Sequence, residues 1–146
     1  MKSNQKGLTL IELVVVLLMM SIVMSTLMFG HQMAKEIAFK AKINEIAYAI
    51  ESTKVHAVAT GKNFNILCLE DRIVFKELPE KTIYRISLDD EMCVDVKSRY
   101  KYYRFHGSMA PVGAFTISLN HESLGKRARI TVGVATGKVR IYYETL

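Results

Sequence analysis

The sequence predicts an α+β fold in which one long N-terminal α-helix packs against a C-terminal domain of antiparallel β-sheet. The chain of 146 residues begins with an apolar run over residues 8–29 that contains a single charge, Glu12. Apolar residues then recur at spacings of three and four as far as Val58, which is typical of an amphipathic helix. From residue 62 onward, short segments of alternating character predict strands. These three observations together predict a lollipop-shaped molecule.

The run over residues 8–29 is long enough to cross a membrane, because hydrocarbon about 30 Å thick needs about 20 apolar residues in a helix. The residues before it include Lys2 and Lys6 and no acid. By the positive-inside rule the N-terminus is then cytoplasmic and the C-terminal domain lies outside the cytoplasm. We therefore expect a single-pass protein of the cytoplasmic (inner) membrane.

Glu12 is the unusual residue of this run, because a carboxylate at membrane depth costs a few kcal/mol and normally has a partner. It belongs to the string Lys6-Gly7-Leu8-Thr9-Leu10-Ile11-Glu12-Leu13. This string resembles the prepilin cleavage signal of type IV pilins and type II secretion pseudopilins. The resemblance implies cleavage between Gly7 and Leu8 by a prepilin peptidase, followed by N-methylation of Leu8.

Glu12 lies four residues after the new N-terminus at Leu8, one helical turn away and on the same face. In an apolar bundle its carboxylate can pair with the cationic N-terminal amine of a neighbouring subunit, which assigns Glu12 to assembly. The alternative is that the side chain extends to the membrane surface, since it lies only five residues into the run.

The helix is expected to continue to about Thr60 and to end at Gly61, with local unwinding near Gly30. Its apolar stripe is expected to complete the core of the C-terminal domain. The residues of the stripe are Ile37, Ala38, Ala41, Ile43, Ile46, Ala47, Ile50, Ala57 and Val58. The predicted organisation is a leader over 1–7, a transmembrane and assembly helix over 8–30, an amphipathic helix over 31–61 and a β domain over 62–146.

Alternation predicts strands at 64–69, 72–76, 82–88, 92–96, 100–105 and 115–120, and a terminal hairpin. If Thr136-Gly137 is its two-residue turn, Val132 pairs with Ile141, and Arg129 pairs with Glu144. The final strands contain Arg129-Ile130-Thr131-Val132 and Thr136-Gly137-Lys138-Val139-Arg140. They resemble the end of the GspH/FimT family of minor pseudopilins and minor pilins, a resemblance that implies a pilin-like α+β fold.

Charge is distributed unevenly in the β domain. Residues 70–95 contain eight acids and four bases, whereas residues 97–140 contain nine bases and one acid. The basic residues proposed as a contact surface are Arg99, Lys101, Arg104, Lys126, Arg127, Arg129, Lys138 and Arg140. Two partners are open: acidic surfaces of neighbouring subunits and the phosphates of DNA, which some minor pilins of the resembled family bind during natural transformation.

Cys68 and Cys93 both follow the apolar run, so that a disulfide and two separate thiols are both open. Asp89-Asp90-Glu91 with Asp95 is interpreted as a solvated acidic turn, because it lacks the pattern of a calcium loop. The histidines have no metal-ligand spacing, and the sequence contains no nucleophile motif or phosphate loop. No metal, cofactor or enzymatic activity is expected.

The sequence thus predicts a structural minor pilin or pseudopilin of a type IV pilus, a competence pilus or a type II secretion system. Its expected partners are prepilin peptidase, other pilin subunits, the inner-membrane assembly platform and, before assembly, membrane lipid. A DNA-receptor minor pilin that serves DNA uptake is the alternative. A membrane-anchored enzyme, which predicts an uncut Gly7, is the third class.

Overall fold

The computed structural model describes residues 10–79, 81–107, 111–134 and 136–146. A single helix, α1 (Leu10–Thr60), precedes eight strands in this part of the chain. The strands are β1 (Phe64–Cys68), β2 (Arg72–Glu77), β3 (Lys81–Ser87), β4 (Met92–Val94), β5 (Tyr102–Phe105), β6 (Phe115–His121), β7 (Lys126–Val132) and β8 (Val139–Thr145). All strand pairs are antiparallel, and the predicted α+β fold is confirmed.

The chain divides into two compact units, Met1–Ile37 and Ala38–Leu146, so the second part of α1 belongs with the strands. The helix is continuous through Gly30, where unwinding was expected. One glycine costs a helix only about 1 kcal/mol relative to alanine, and no proline precedes Pro79. The predicted end of the helix at Gly61 is confirmed, because Gly61 has the positive φ, 65°, that commonly terminates a helix.

The strands form two four-stranded sheets. The first sheet has the order β3-β2-β1-β5, and the second has the order β4-β6-β7-β8. The predicted hairpin around Glu70-Asp71 joins β1 and β2, with Ile66 opposite Phe75. Buried apolar side chains from α1 and from both sheets form one core, so each sheet has an inner face toward this core and an outer face away from it.

The buried stripe of α1 contains five of the nine predicted residues and differs from the prediction mainly at its two ends. Its central members are spaced by four and three residues in turn, and Ala47 and Ala49 lie beside them: Phe39, Ile43, Ile46, Ile50, Thr53 and Ala57. The prediction omitted Phe39, which is 1% exposed, and wrongly included Ile37 and Val58, which are 65% and 39% exposed. A helix with 3.6 residues per turn places Phe39 directly below Ile43 and Ile46. Ala38 and Ala41 are also exposed.

The terminal hairpin has the predicted faces but a register shifted by two residues. Val132 pairs with Val139, and not with Ile141 as predicted. The connection spans six residues because Gly133 donates its N–H to Lys138 O (3.2 Å) and Gly137 donates its N–H to Gly133 O (3.0 Å). A shift of two leaves each side chain on its predicted face, since strand side chains alternate with a period of two.

Three strands are shorter than predicted, β1 by one residue and β4 and β5 by two residues each. After β4 the chain turns at Asp95, whose carbonyl accepts the N–H groups of Ser98 (2.8 Å) and Arg99 (3.1 Å). Before β5, Tyr100 has a positive φ of 56° and donates its N–H to Cys68 O (2.7 Å). The turn at Asp95 leads the chain from the second sheet back to the first.

Candidate functional site

The first twenty residues of α1 present an apolar surface. Every large apolar side chain between Leu10 and Phe29 is 46–82% exposed, and the mean hydropathy of this part of the helix reaches 2.5. By length and composition it is the one described helix able to cross a membrane. Such a surface is stable in lipid or against other apolar helices, and large exposed apolar surfaces are otherwise rare in soluble proteins.

Glu12 is the only charged residue between Leu10 and Phe29. Its side chain is exposed near the first described residue of α1. Gly7 and Leu8, the predicted cleavage and methylation positions, lie outside the described residues. The roles of these three residues therefore remain predictions from the motif.

The eight basic residues predicted to form one contact surface lie on two different sheets. Arg99, Lys101 and Arg104 lie on or just before β5 of the first sheet. The others belong to the terminal hairpin of the second sheet: Lys126, Arg127, Arg129, Lys138 and Arg140. The interleaved tyrosines and bases of residues 99–104 therefore belong to a different sheet from the hairpin.

On the second sheet, carboxylates of the same chain neutralise two of the outward arginines. Arg127 contacts Asp95 Oδ2 at 3.2 Å, and Arg129 forms an ion pair with Glu144. Lys138 and Arg140 are exposed and have no ion-pair partner among the described residues. The outward face of the hairpin is consequently less cationic than its sequence indicates.

Arg99 is likewise held within the chain. Its guanidinium contacts Glu70 Oε1 at 2.8 Å, and its Nε donates to Val94 O at 2.7 Å. These contacts join the start of the β1–β2 turn to the end of β4. Arg99 therefore has a structural role that the sequence pattern did not reveal.

The structure also assembles a cationic surface that sequence reasoning missed. Lys76, Arg85 and Arg104 occupy outer positions of β2, β3 and β5 on the first sheet. We call these three residues the cationic sheet face. Two of them come from the segment 70–95, which is acidic overall. Alternation along each strand indicates which side chains face outward. Only the order of the strands in the sheet shows that these three residues share one surface.

Asp95, which follows β4, is bound by protein groups. The N–H of Lys97 donates to Asp95 Oδ1 (2.9 Å) and is the main cause that lowers the pKa of Asp95. Asn120 and Arg127 add to this effect from the neighbouring strands. Within the described residues no group of three or more His, Cys, Asp or Glu side chains is placed to hold a metal ion.

His121, Ser123 and Glu91 are neighbours, yet their geometry differs from that of a nucleophile and its base. Ser123 Oγ donates to Glu91 Oε2 at 2.6 Å, whereas His121 Nδ1 lies 3.5 Å from the same hydroxyl. The imidazole is 5% exposed and packs edge-on against the Phe39 ring, with 5.4 Å between centroids. Burial against the core favours a structural role for this histidine.

Cys68 and Cys93 are free thiols in the structure. Cys68 lies on β1 with its side chain buried, and Cys93 lies half-buried on β4 of the other sheet. Burial raises the pKa of the Cys68 thiol to about 12. The thiolate is the reactive form, so Cys68 is protonated and inert at neutral pH.

We expect an alkylating reagent at about pH 8 to label Cys93 and to leave Cys68 unmodified in the folded protein, since only the thiolate reacts. Because the pKa of Cys68 is raised by folding, its labelling requires unfolding or a pH close to 12. Peptide mass spectrometry after timed labelling measures both rates. Denaturant should make the two rates similar, and equal rates without denaturant would contradict the burial of Cys68.

One family model matches the chain. Residues 2–28 match the model of the prokaryotic N-terminal methylation motif. No curated protein sequence and no solved structure matches the chain.

The matched residues include the basic leader, Gly7, Leu8, Glu12 and most of the apolar part of α1. The motif supports a type IV pilin-like precursor that prepilin peptidase processes and that assembles with other pilin subunits. Together with the exposed apolar helix it supports a membrane-anchored, structural protein.

Proposed function

We propose that this chain is a minor pilin or pseudopilin, a structural subunit of a type IV pilus, a competence pilus or a type II secretion pseudopilus. The match of residues 2–28 to the N-terminal methylation motif is the observation that carries this proposal. The exposed apolar surface of α1 supports it, because such a surface suits both a lipid bilayer before assembly and a bundle of helices afterwards.

In this proposal the leader 1–7 is cytoplasmic and the β domain is extracytoplasmic. Prepilin peptidase cuts after Gly7, and the new N-terminus at Leu8 is methylated and remains cationic. The inner-membrane assembly platform then moves the subunit from lipid into the filament. There Glu12 pairs with the N-terminal amine of a neighbouring subunit, and an ion pair of this kind fixes the register between helices.

DNA is the alternative partner of the basic residues on the terminal hairpin. Two of the arginines on which that alternative depends, Arg127 and Arg129, already pair with carboxylates of the same chain. Lys138 and Arg140 alone offer little charge for binding phosphates, because affinity for DNA rises with the number of neutralised phosphates. We therefore place subunit contacts ahead of a DNA receptor.

The intact mass of the membrane-extracted protein tests the proposal. We expect a mature chain that begins at Leu8 and carries one added methyl group. Cells that lack prepilin peptidase should instead yield the full precursor, and Gly7→Leu should do the same in normal cells. A mature protein that still begins at Met1 in cells with active peptidase would contradict the proposed function.

A further inference from the structure

The cationic sheet face is not neutralised within the described chain. Lys76 and Arg85 have no ion-pair partner there, and Arg104 donates its Nε to the neutral Asn65 Oδ1 at 3.1 Å. The second sheet differs, since two of its three outward arginines pair with carboxylates. The first sheet therefore presents unpaired positive charge to solvent or to a partner.

The register of the sheet brings these three cations together. Asn65 on β1 lies between Arg104 on β5 and Lys76 on β2, so the two cations are about 10 Å apart at their backbones. Arg85 lies opposite Val74 on the next strand. The described outer positions of this sheet contain no acid: Asn65, Leu67, Arg72, Val74, Lys76, Thr82, Arg85, Ser87, Tyr102 and Arg104.

The centre of this face is apolar. Leu67 is half-buried and lies between Tyr102, which is 64% exposed, and Val74. An apolar centre with charged residues around it is typical of a protein interface. A surface for single-stranded nucleic acid stacks successive bases on several aromatic rings, and Tyr102 is the one aromatic residue at the described outer positions. The face therefore favours an acidic protein partner.

The same chain carries such an acidic surface. Asp89 and Asp90 lie in the turn between β3 and β4, and Glu122 lies in the turn between β6 and β7. The two turns meet, because Glu122 donates its N–H to Glu91 O at 3.2 Å. The carboxylates of Asp89, Asp90 and Glu122 are exposed and have no ion-pair partner among the described residues. We call these three residues the acidic end.

Lys76 is too far from the acidic end for an ion pair between them within one copy. Lys76 lies opposite Thr82 near the start of β3, whereas Asp89 follows the end of β3 at Ser87. The five steps along the strand from Thr82 to Ser87 alone extend about 16 Å at 3.3 Å per step. An ion pair between Lys76 and the acidic end therefore requires two molecules.

We propose that the cationic sheet face of one copy docks on the acidic end of a second copy. This inference rests on the proposed function, which places pilin-like subunits side by side in a filament. The contact joins two different surfaces, so each copy keeps one surface of each kind for the next copy. Repeated contacts of this heterologous kind build an open helical filament when the rotation between copies does not close a ring.

Zero-length carbodiimide cross-linking of full-length protein in native membranes tests this docking. Two copies with different C-terminal tags are expressed together. One copy carries D89N, D90N and E122Q, and the other carries K76R. The only possible cross-link between Lys76 and an acidic end then joins the first copy to the second. We expect a doubly tagged product in which Lys76 is linked to Asp89, Asp90 or Glu122.

Reversing the charge of the cationic sheet face should weaken the contact, and reversing the charge of the acidic end as well should restore it. R85E with R104E in the copy that supplies the face should lower the yield of doubly tagged product at least about tenfold, because Lys76 keeps its reactive amine while like charges across an interface repel strongly. D89K with D90K in the other copy should recover most of that yield. Lys97→Glu is the matched control, since Lys97 is an exposed lysine outside both surfaces with no ion pair among the described residues, and it should leave the yield unchanged.

The outcomes separate this inference from the proposed function. Doubly tagged products linked only through other residues, with the N-terminus cut at Leu8, would overturn the docking and leave the pilin assignment in place. A complete absence of doubly tagged products, together with an uncut N-terminus, would overturn both. Loss of the Lys76 cross-links on adding single-stranded DNA, with the DNA bound at Tyr102, would overturn the docking in favour of a nucleic-acid surface.

Discussion

Glu12→Leu is expected to leave membrane insertion intact and to lower incorporation into filaments roughly 100-fold or more. The substitution removes the carboxylate that we assign to the N-terminal amine of a neighbouring subunit. Loss of one partner from a buried ion pair costs about 3–5 kcal/mol, and each 1.4 kcal/mol is a factor of about ten. Insertion should not suffer, because leucine suits the membrane interior better than glutamate does.

Quantitative blotting of membrane and sheared-filament fractions measures the two effects separately. Ser21→Leu is the matched control, because Ser21 lies in the same apolar segment and its hydroxyl donates only to Leu18 O of its own helix, at 2.8 Å. Glu12→Gln keeps the size of the side chain and removes its charge. Normal incorporation of Glu12→Gln would show that charge pairing at Glu12 does not drive assembly.

Local patterns predicted most of the fold correctly because each element carries its own signal. The 51 residues of α1 are free of proline, and Gly61 adopts the conformation that ends it. Alternation placed Ile130 and Val132 on the inner face of the second sheet, where both are fully buried. These features depend on neighbours within a few residues in sequence.

Register depends on interactions that alternation does not contain. A shift of two residues in the terminal hairpin keeps every side chain on the same face, so the pattern fits both registers equally well. The choice follows from the hydrogen bonds of Gly133 and Gly137, which close a longer connection than the predicted turn. The ion pair predicted by the wrong register, Arg129 with Glu144, is nevertheless present across a diagonal of the sheet.

The interaction surfaces were the hardest feature to predict. Counts of charge along the chain placed the basic surface after residue 97, whereas the unpaired cations of the first sheet include Lys76 and Arg85. Ion pairs that cross between elements, such as Arg127 with Asp95 at 3.2 Å, decide which charges remain available. The motif around Glu12 could be recognised from the sequence alone, because all of its residues lie in one short string from Lys6 to Leu13.

Phe39→Ala is expected to destabilise the unit Ala38–Leu146 by about 3–5 kcal/mol, the usual cost of replacing a buried phenylalanine with alanine. Phe39 is 1% exposed, and its ring contacts the rings of His121 and Tyr143 with centroid distances of 5.4 and 6.3 Å. Alanine leaves a cavity where α1 meets the second sheet. For about 110 residues, this loss lowers the melting temperature by roughly 12–20 °C.

Thermal unfolding of the full-length, detergent-extracted protein, followed by the near-ultraviolet circular dichroism of its tyrosines, measures this shift. Tyr48→Ala is the matched control, because Tyr48 lies on the same helix but is 74% exposed, and its replacement should change stability by less than about 0.5 kcal/mol. Equal shifts for the two variants would show that the helix does not contribute Phe39 to the core. A large shift for Phe39→Ala alone would show that the buried stripe begins at Phe39, one turn earlier than Ile43, and that this part of α1 folds as part of the β domain.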